Sequence, residues 1–149
     1  TLVKSSAASD VYKRQAVDTP HGLMVPKIRD VDQMSIKEIG SALRKTSRLC
    51  RDLKIDKKEF FGGSMTISSL GGIGGTFFTP IINPPEVAIL GVGKSFDRLV
   101  KVKDKFVSRK ILPISLSYDH RIIDGAEGAR FCVYLGKCLG KDFAFKLAV

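Results

Sequence analysis

Two side chains near the carboxy-terminal end have the types and spacing that acid–base chemistry uses. They are His120 and, four residues later, Asp124, within Ser117-Tyr118-Asp119-His120-Arg121-Ile122-Ile123-Asp124-Gly125. An imidazole titrates close to neutral pH, and burial, backbone donors or a neighbouring carboxylate tune it as a general base. The same two residues also fit a plain structural reading: a buried, hydrogen-bonded core histidine followed by an aspartate that only caps a helix. Spacing alone does not separate the two readings.

The elements around the pair are legible. Leu112, Ile114, Leu116, Tyr118 and His120 alternate with Pro113, Ser115, Ser117 and Asp119, which predicts a strand with His120 on its apolar face, in low-dielectric surroundings. Asp124 followed by Glu127 forms a capping-box pattern. It opens a helix predicted over 125–139, with Ala129, Cys132, Val133 and Leu139 as its buried stripe. The junction is therefore a strand end feeding a helix start.

Earlier in the chain, Ser35-Ile36-Lys37-Glu38 is another capping box. Ile39, Ala42, Leu43, Thr46, Leu49, Cys50 and Leu53 then keep helical spacing, predicting a helix over 36–54. Its other face carries Lys37, Arg44, Lys45, Arg48, Arg51 and Lys54, a solvated face that can also attract an acidic partner. Strands are expected at 64–70 and 86–93, with a hairpin over 99–109 turning at Asp104-Lys105. Pro26 assigns the strand near 23–28 to an edge or a bulge. Gly71-Gly72-Ile73-Gly74-Gly75 is not a phosphate loop, since it lacks Gly-Lys-Ser/Thr and no helix pattern follows, so its glycines are read as permitting positive φ. His21, in a Pro-Gly turn, receives no role. Several strands with two long helices make an α/β sandwich of mixed sheet and covering helices.

Composition narrows the class. The 149 residues suit one domain able to bury about two-thirds of its unfolded surface, and a 44% hydrophobic, 27% charged mixture is globular. No apolar run is long enough to span a bilayer, so no membrane role is expected. The formal charge of +10 favours an anionic partner, an acidic protein surface or a phosphate-rich cofactor, or is simply a solvated surface. Nucleic acid fits less well, because the basic residues are scattered without a stacking-aromatic motif. Cys50, Cys132 and Cys138 are odd in number and form no C-x-x-C pair; reduced thiols and no metal site are expected. Residues 1–15 show neither sustained period and read as a non-native leader outside the fold.

Three blocks agree, in order, with one family. Ala16 through Pro26 (Ala-Val-Asp-Thr-Pro-His-Gly-Leu-Met-Val-Pro), the long stretch Phe61 through Gly93, and Leu112 through Phe131 with its His-x-x-x-Asp-Gly signature resemble the catalytic domain of dihydrolipoamide acyltransferases. These are the core subunits of 2-oxo acid dehydrogenase complexes. Within that family the Thr66–Thr76 and Asn83–Val92 stretches look most like the bacterial-type acetyltransferase of the pyruvate dehydrogenase complex; succinyl and branched-chain variants stay open.

The resemblance implies a chloramphenicol acetyltransferase-like sandwich, here as the carboxy-terminal part of the domain over 16–149, assembled as homotrimers in a larger cage. It implies acyl transfer between dihydrolipoamide and coenzyme A, with lipoyl domains, a 2-oxo acid decarboxylase and a dihydrolipoamide dehydrogenase as partners. The setting it implies is the bacterial cytoplasm, or alternatively the mitochondrial matrix. By the same resemblance His120 is the catalytic base and Ser68 the oxyanion donor. Asp124 orients the loop and caps the last helix, and Asp18, Ser68, Ser69 and Gly93 contact coenzyme A. Against these roles stands the plain reading of Ser68 as a strand hydroxyl bonded to nearby backbone. In the family the site lies between subunits, with His and Ser supplied across an interface. A non-catalytic structural core and a small-molecule acetyltransferase are the competing readings. The Gly-Gly-Ile-Gly-Gly and Asn-Pro-Pro-Glu blocks favour the lipoamide branch over the second.

Overall fold

The computed structural model describes residues 13–140 and Phe143. Its centre is a five-stranded mixed sheet in the order β4-β1-β5-β6-β9, formed by Lys27–Ile28, Lys13–Gln15, Met65–Ser69, Ala88–Val92 and Ile114–Tyr118. Strands β1, β5 and β6 run parallel, while β4 and β9 are antiparallel to their neighbours. Two separate ribbons accompany it: β2 (Val17–Thr19) with β3 (Gly22–Met24), and β7 (Phe96–Val102) with β8 (Lys105–Ile111). The most buried apolar residues are Val17, Ile28, Cys50, Ile89 and Leu90, so the core lies at β6 and under the first helix.

Helix α1 (Ile36–Arg51) starts where the capping box predicts, with Ser35 Oγ accepting from Glu38 N and Glu38 Oε2 accepting from Ser35 N. It ends three residues before the predicted boundary. Leu53 takes φ of 53°, and Lys54 N donates to Leu49 O, which winds the chain out of the helix. The fully buried Cys50 ties α1 to the core, and burial raises its thiol pKa.

Several expectations need correction. Residues 13–15, set aside with the leader, form β1 inside the sheet, with Arg14 buried against Glu86 at 3.3 Å; residues 1–12 lie outside the described residues. The hairpin turn falls on Lys103-Asp104, because Val102 pairs with Lys105 and Lys103 supplies the left-handed φ of 54°. The final helix, α2 (Gly125–Cys138), does not bury the predicted stripe: Val133 and Ala129 are exposed, and Gly128 is its buried residue. The reason is Tyr118. Its ring packs so closely on α2 that a Cβ at Gly128 would stand 2.8 Å from ring carbon Cε1, which turns the helix onto its glycine side. The Pro26 inference holds, since β4 is an edge strand. So does the reading of the glycine loop, where Gly74 and Gly75 take φ of 146° and 85°.

Candidate active site

The sheet register decides which candidate residues can meet. Ser68 on β5 pairs with Gly91 on β6, and Gly91 pairs with Ser115 on β9. Register partners share a face of the sheet and successive residues of a strand do not, so Ser68 lies on the Ser115 face while Tyr118 lies on the other. His120 follows Tyr118 on that second side, the two rings 5.8 Å apart and inclined by 40°. His120 stands five residues beyond Ser115, past the end of β9. That places it roughly 15 Å along the strands and about 10 Å across them from Ser68. Within one chain, Ser68 and His120 are on opposite faces and far outside hydrogen-bond reach.

His120 is also not buried. It is exposed in a turn, because β9 stops at Tyr118, Asp119 N closes the ladder on Val87 O, and Ile122 N and Ile123 N both fold back onto Asp119 O. The expected low-dielectric setting is therefore absent from the single chain; alternation reports which side a residue takes, not how deeply it is covered.

Asp124 is placed as expected. It is the N-cap of α2, with Oδ1 accepting from Glu127 N at 2.7 Å. That backbone bond first, then the bond from Ala126 and the charges of Arg130 and His120, hold its carboxyl below the usual range. The Asp124 carboxylate is thus occupied by the cap rather than by His120. Asp124→Asn retains a cap acceptor and is expected to leave the melting temperature nearly unchanged. Asp124→Ala is expected to lower it by roughly 3 °C, read by calorimetry.

Asp119, on the polar side of the sequence alternation, is the best-anchored side chain of the turn. Its carboxylate receives Arg121 Nε at 2.9 and 3.1 Å, Nη2 at 2.5 Å, and the Arg121 backbone N at 3.0 Å. These bonds, led by the guanidinium, hold its pKa down at about 2. A depressed carboxyl stabilises the fold above its unfolded value near 3.9, and that contribution fades as pH falls toward 2. In acid titrations, wild type is expected to be more stable than Asp119→Asn above about pH 4, the difference shrinking as pH falls and the two curves meeting only below about pH 2.

The residues expected around coenzyme A are partly assembled. Asp18 and Ser69 line one open cleft of about 940 Å³ together with Arg44, Arg48 and Arg51 of α1. The basic helix face, read from sequence as solvated, thus borders a cleft whose other wall carries two predicted ligand contacts. Three guanidinium groups beside a hydroxyl and polar backbone suit phosphate oxygens. Among the described residues, no hydrogen bond is made by Ser68 Oγ, so the hydroxyl is not spent on neighbouring backbone.

Gly93 is explained by packing. A Cβ there would lie 2.1 Å from Thr76 O and 3.0 Å from Pro113 Cγ. Gly93→Ala is expected to destabilise the chain by roughly 3 kcal/mol, the upper range for overpacking, seen as a lower urea midpoint at unchanged slope. The cysteines are not brought into the site; the buried, raised thiol of Cys50 is a poor nucleophile.

Comparison with known proteins identifies the family. Residues 15–144 match the family described as 2-oxoacid dehydrogenases acyltransferase (catalytic domain). The chain is 52% identical over 128 residues to the dihydrolipoyllysine-residue acetyltransferase component of the pyruvate dehydrogenase complex from Cupriavidus necator, covering 86% of this chain and 23% of the relative. It is 53% identical over 124 residues to the same component from Haemophilus influenzae, covering 83% and 22%. Among solved structures, it superposes with a TM-score of 0.87 and 47% identity on a dihydrolipoamide acetyltransferase from Azotobacter vinelandii, studied for the role of a serine, a histidine and an asparagine in its catalytic mechanism. It matches the cubic core of the pyruvate dehydrogenase multienzyme complex equally well, at 0.87 and 48%. In both structures 91% of this chain covers 56% of the other, so the chain spans about half of the solved cores and under a quarter of the curated relatives' length. The mixed sheet with two helices is the acyltransferase core fold in part, and the chain belongs to the 2-oxoacid dehydrogenase acyltransferase catalytic-domain family.

Proposed function

We propose that this chain supplies His120 and Ser68 to two different acetyl-transfer sites, each completed by a neighbouring copy, in a dihydrolipoamide acetyltransferase of a pyruvate dehydrogenase complex. The observation that carries the reading is spacing. In the Azotobacter vinelandii enzyme the serine and histidine with catalytic roles stand 52 positions apart, and the histidine and asparagine four. Ser68, His120 and Asp124 repeat both intervals, with aspartate in place of asparagine. The substitution suits a capping role, which either side chain fulfils. That Ser68 and His120 sit on opposite faces of one chain's sheet fits a site shared between copies.

The chemistry follows from these roles. In one direction, the imidazole of His120 takes the proton from the thiol of coenzyme A as its sulfur attacks the thioester carbonyl of acetyl-dihydrolipoamide. The carbonyl π electrons move to oxygen, and the Ser68 hydroxyl donates to that oxyanion. Collapse re-forms the carbonyl, breaks the bond to the lipoyl sulfur and returns the proton from His120 to the departing thiolate. No enzyme-bound acyl group is needed, consistent with cysteines outside the site. The cleft beside Asp18 and Ser69, with Arg44, Arg48 and Arg51, holds the phosphates of coenzyme A. A trimer inside a larger cage, served by lipoyl domains and by decarboxylase and dihydrolipoamide dehydrogenase components, is the assembly this implies. The similar proteins named above are bacterial, and no described helix is long and apolar enough to cross a membrane; we place the protein in a bacterial cytoplasm.

The test uses residues 13–149, which keep β1, joined behind the segment that the Azotobacter vinelandii enzyme carries ahead of the matched region. Acetyl transfer from acetyl-coenzyme A to dihydrolipoamide by this grafted subunit supports the reading. A folded, trimeric graft without transfer overturns it.

A further inference from the structure

The turn between β9 and α2 contains an ion pair that the chemistry above leaves without a task. Asp119 and Arg121 flank His120 directly and close on each other through the bidentate contact and the Arg121 N to Asp119 Oδ1 bond at 3.0 Å. Stability alone does not explain it. The Arg121 side chain is 87% exposed, and exposed pairs contribute little to folding. Geometry does explain it. Asp119 is fixed on all sides, with N bonded to Val87 O at 2.8 Å and O receiving Ile122 N and Ile123 N, both at 3.0 Å. A planar fork locked onto that anchor fixes the backbone on both sides of His120, while its ring rests 5.8 Å from Tyr118.

We infer that the Asp119–Arg121 pair is a positioning clamp for His120: it sets the orientation of the imidazole and keeps the charge beside it balanced. The inference rests on the reading of His120 as general base. The charged and titratable groups of the turn and of the elements packed against it are Asp119 and Arg121 in the turn, Tyr118 on β9, Asp124, Glu127 and Arg130 on α2, and Glu86 ahead of β6, which lines a cleft with Asp119 and Arg121. Of these, only the clamp puts an anion and a cation on the residues adjacent to His120.

Charge balance gives the clamp a signature that a purely structural pair lacks. Asp119→Asn leaves the Arg121 cation uncompensated and disfavours imidazolium, so His120 should titrate lower. Arg121→Met leaves the Asp119 carboxylate bare and favours imidazolium, so His120 should titrate higher. Each shift is expected to be about half a pH unit at this exposed site. In the grafted subunit, both variants should lower kcat by about 10- to 100-fold through misplacement of the base, with KM for either thiol substrate changed less than about threefold. The ascending limb of the pH–rate profile should move down for Asp119→Asn and up for Arg121→Met. Arg121→Lys, which keeps the charge but not the fork, should keep the wild-type limb and recover only part of kcat.

The same titration is read without turnover from the His120 ring resonances by NMR, resolved from those of His21, the other histidine of the sequence. Opposed shifts support the clamp even if the graft transfers no acetyl group, and in that event the acetyltransferase reading alone fails. Unshifted titration and unchanged kcat in both variants of an active graft overturn the clamp.

Discussion

His120→Ala in the grafted subunit is expected to lower acetyl transfer by about 100- to 10,000-fold while trimers still form, the range spanned by loss of a positioned general base. The turn makes the substitution clean. Its backbone is held by Asp119, with bonds to Val87 O, Ile122 N and Ile123 N, and α2 is capped by Asp124, so no described fold contact depends on the imidazole beyond its 5.8 Å approach to Tyr118. Size-exclusion chromatography and circular dichroism should therefore match wild type. Retained transfer would remove His120 from the mechanism.

Ser68→Ala is expected to be the second-largest effect. Loss of one preorganised oxyanion donor costs about 2.7–4 kcal/mol, or roughly 100- to 1,000-fold in kcat, with KM nearly unchanged because the oxyanion exists only beyond the ground state. Folding should be hardly affected. Ser68 stays in its ladder through backbone pairing with Gly91, and its hydroxyl supports no described neighbour. A rise in KM at constant kcat would instead make Ser68 a substrate-binding residue. Neither variant should alter the urea midpoint much, in contrast to Gly93→Ala, whose added methyl meets the Thr76 backbone.

The sequence carried local structure well where the signal was local. The Ser35–Glu38 capping box placed the start of α1 to the residue, and the alternation from Leu112 to His120 put Tyr118 and His120 on one side, as their ring contact shows. It misplaced what depends on partners distant in sequence. The inward face of α2 is set by the Tyr118 ring lying against Gly128, a contact invisible to helical periodicity, which favoured Val133. The arginines of α1 look like a solvated stripe until the fold sets Asp18 and Ser69 across a cleft from them. Gly93, a ligand contact by the family resemblance, is also constrained by the close passage of Thr76, which the sequence does not show. The Asp119–Arg121 pair was within reach of the sequence: two residues of opposite charge, two apart on the polar side of a strand that is about to turn, are positioned to close on one another.

Ser68 and His120 themselves show the boundary most clearly. Their identities were readable, but the opposite faces they occupy follow only from the Ser68–Gly91–Ser115 register, which keeps them apart within one chain. The most direct measurement is subunit complementation. Grafted Ser68→Ala and His120→Ala subunits, each inactive alone, are unfolded, mixed in equal amounts and reassembled. With random mixing, one interface in four joins an intact His120 to an intact Ser68, so about a quarter of wild-type acetyl transfer should return. If the mixture stays as inactive as its parents while wild type reassembled in the same way recovers, the site is not shared between copies and the account is contradicted.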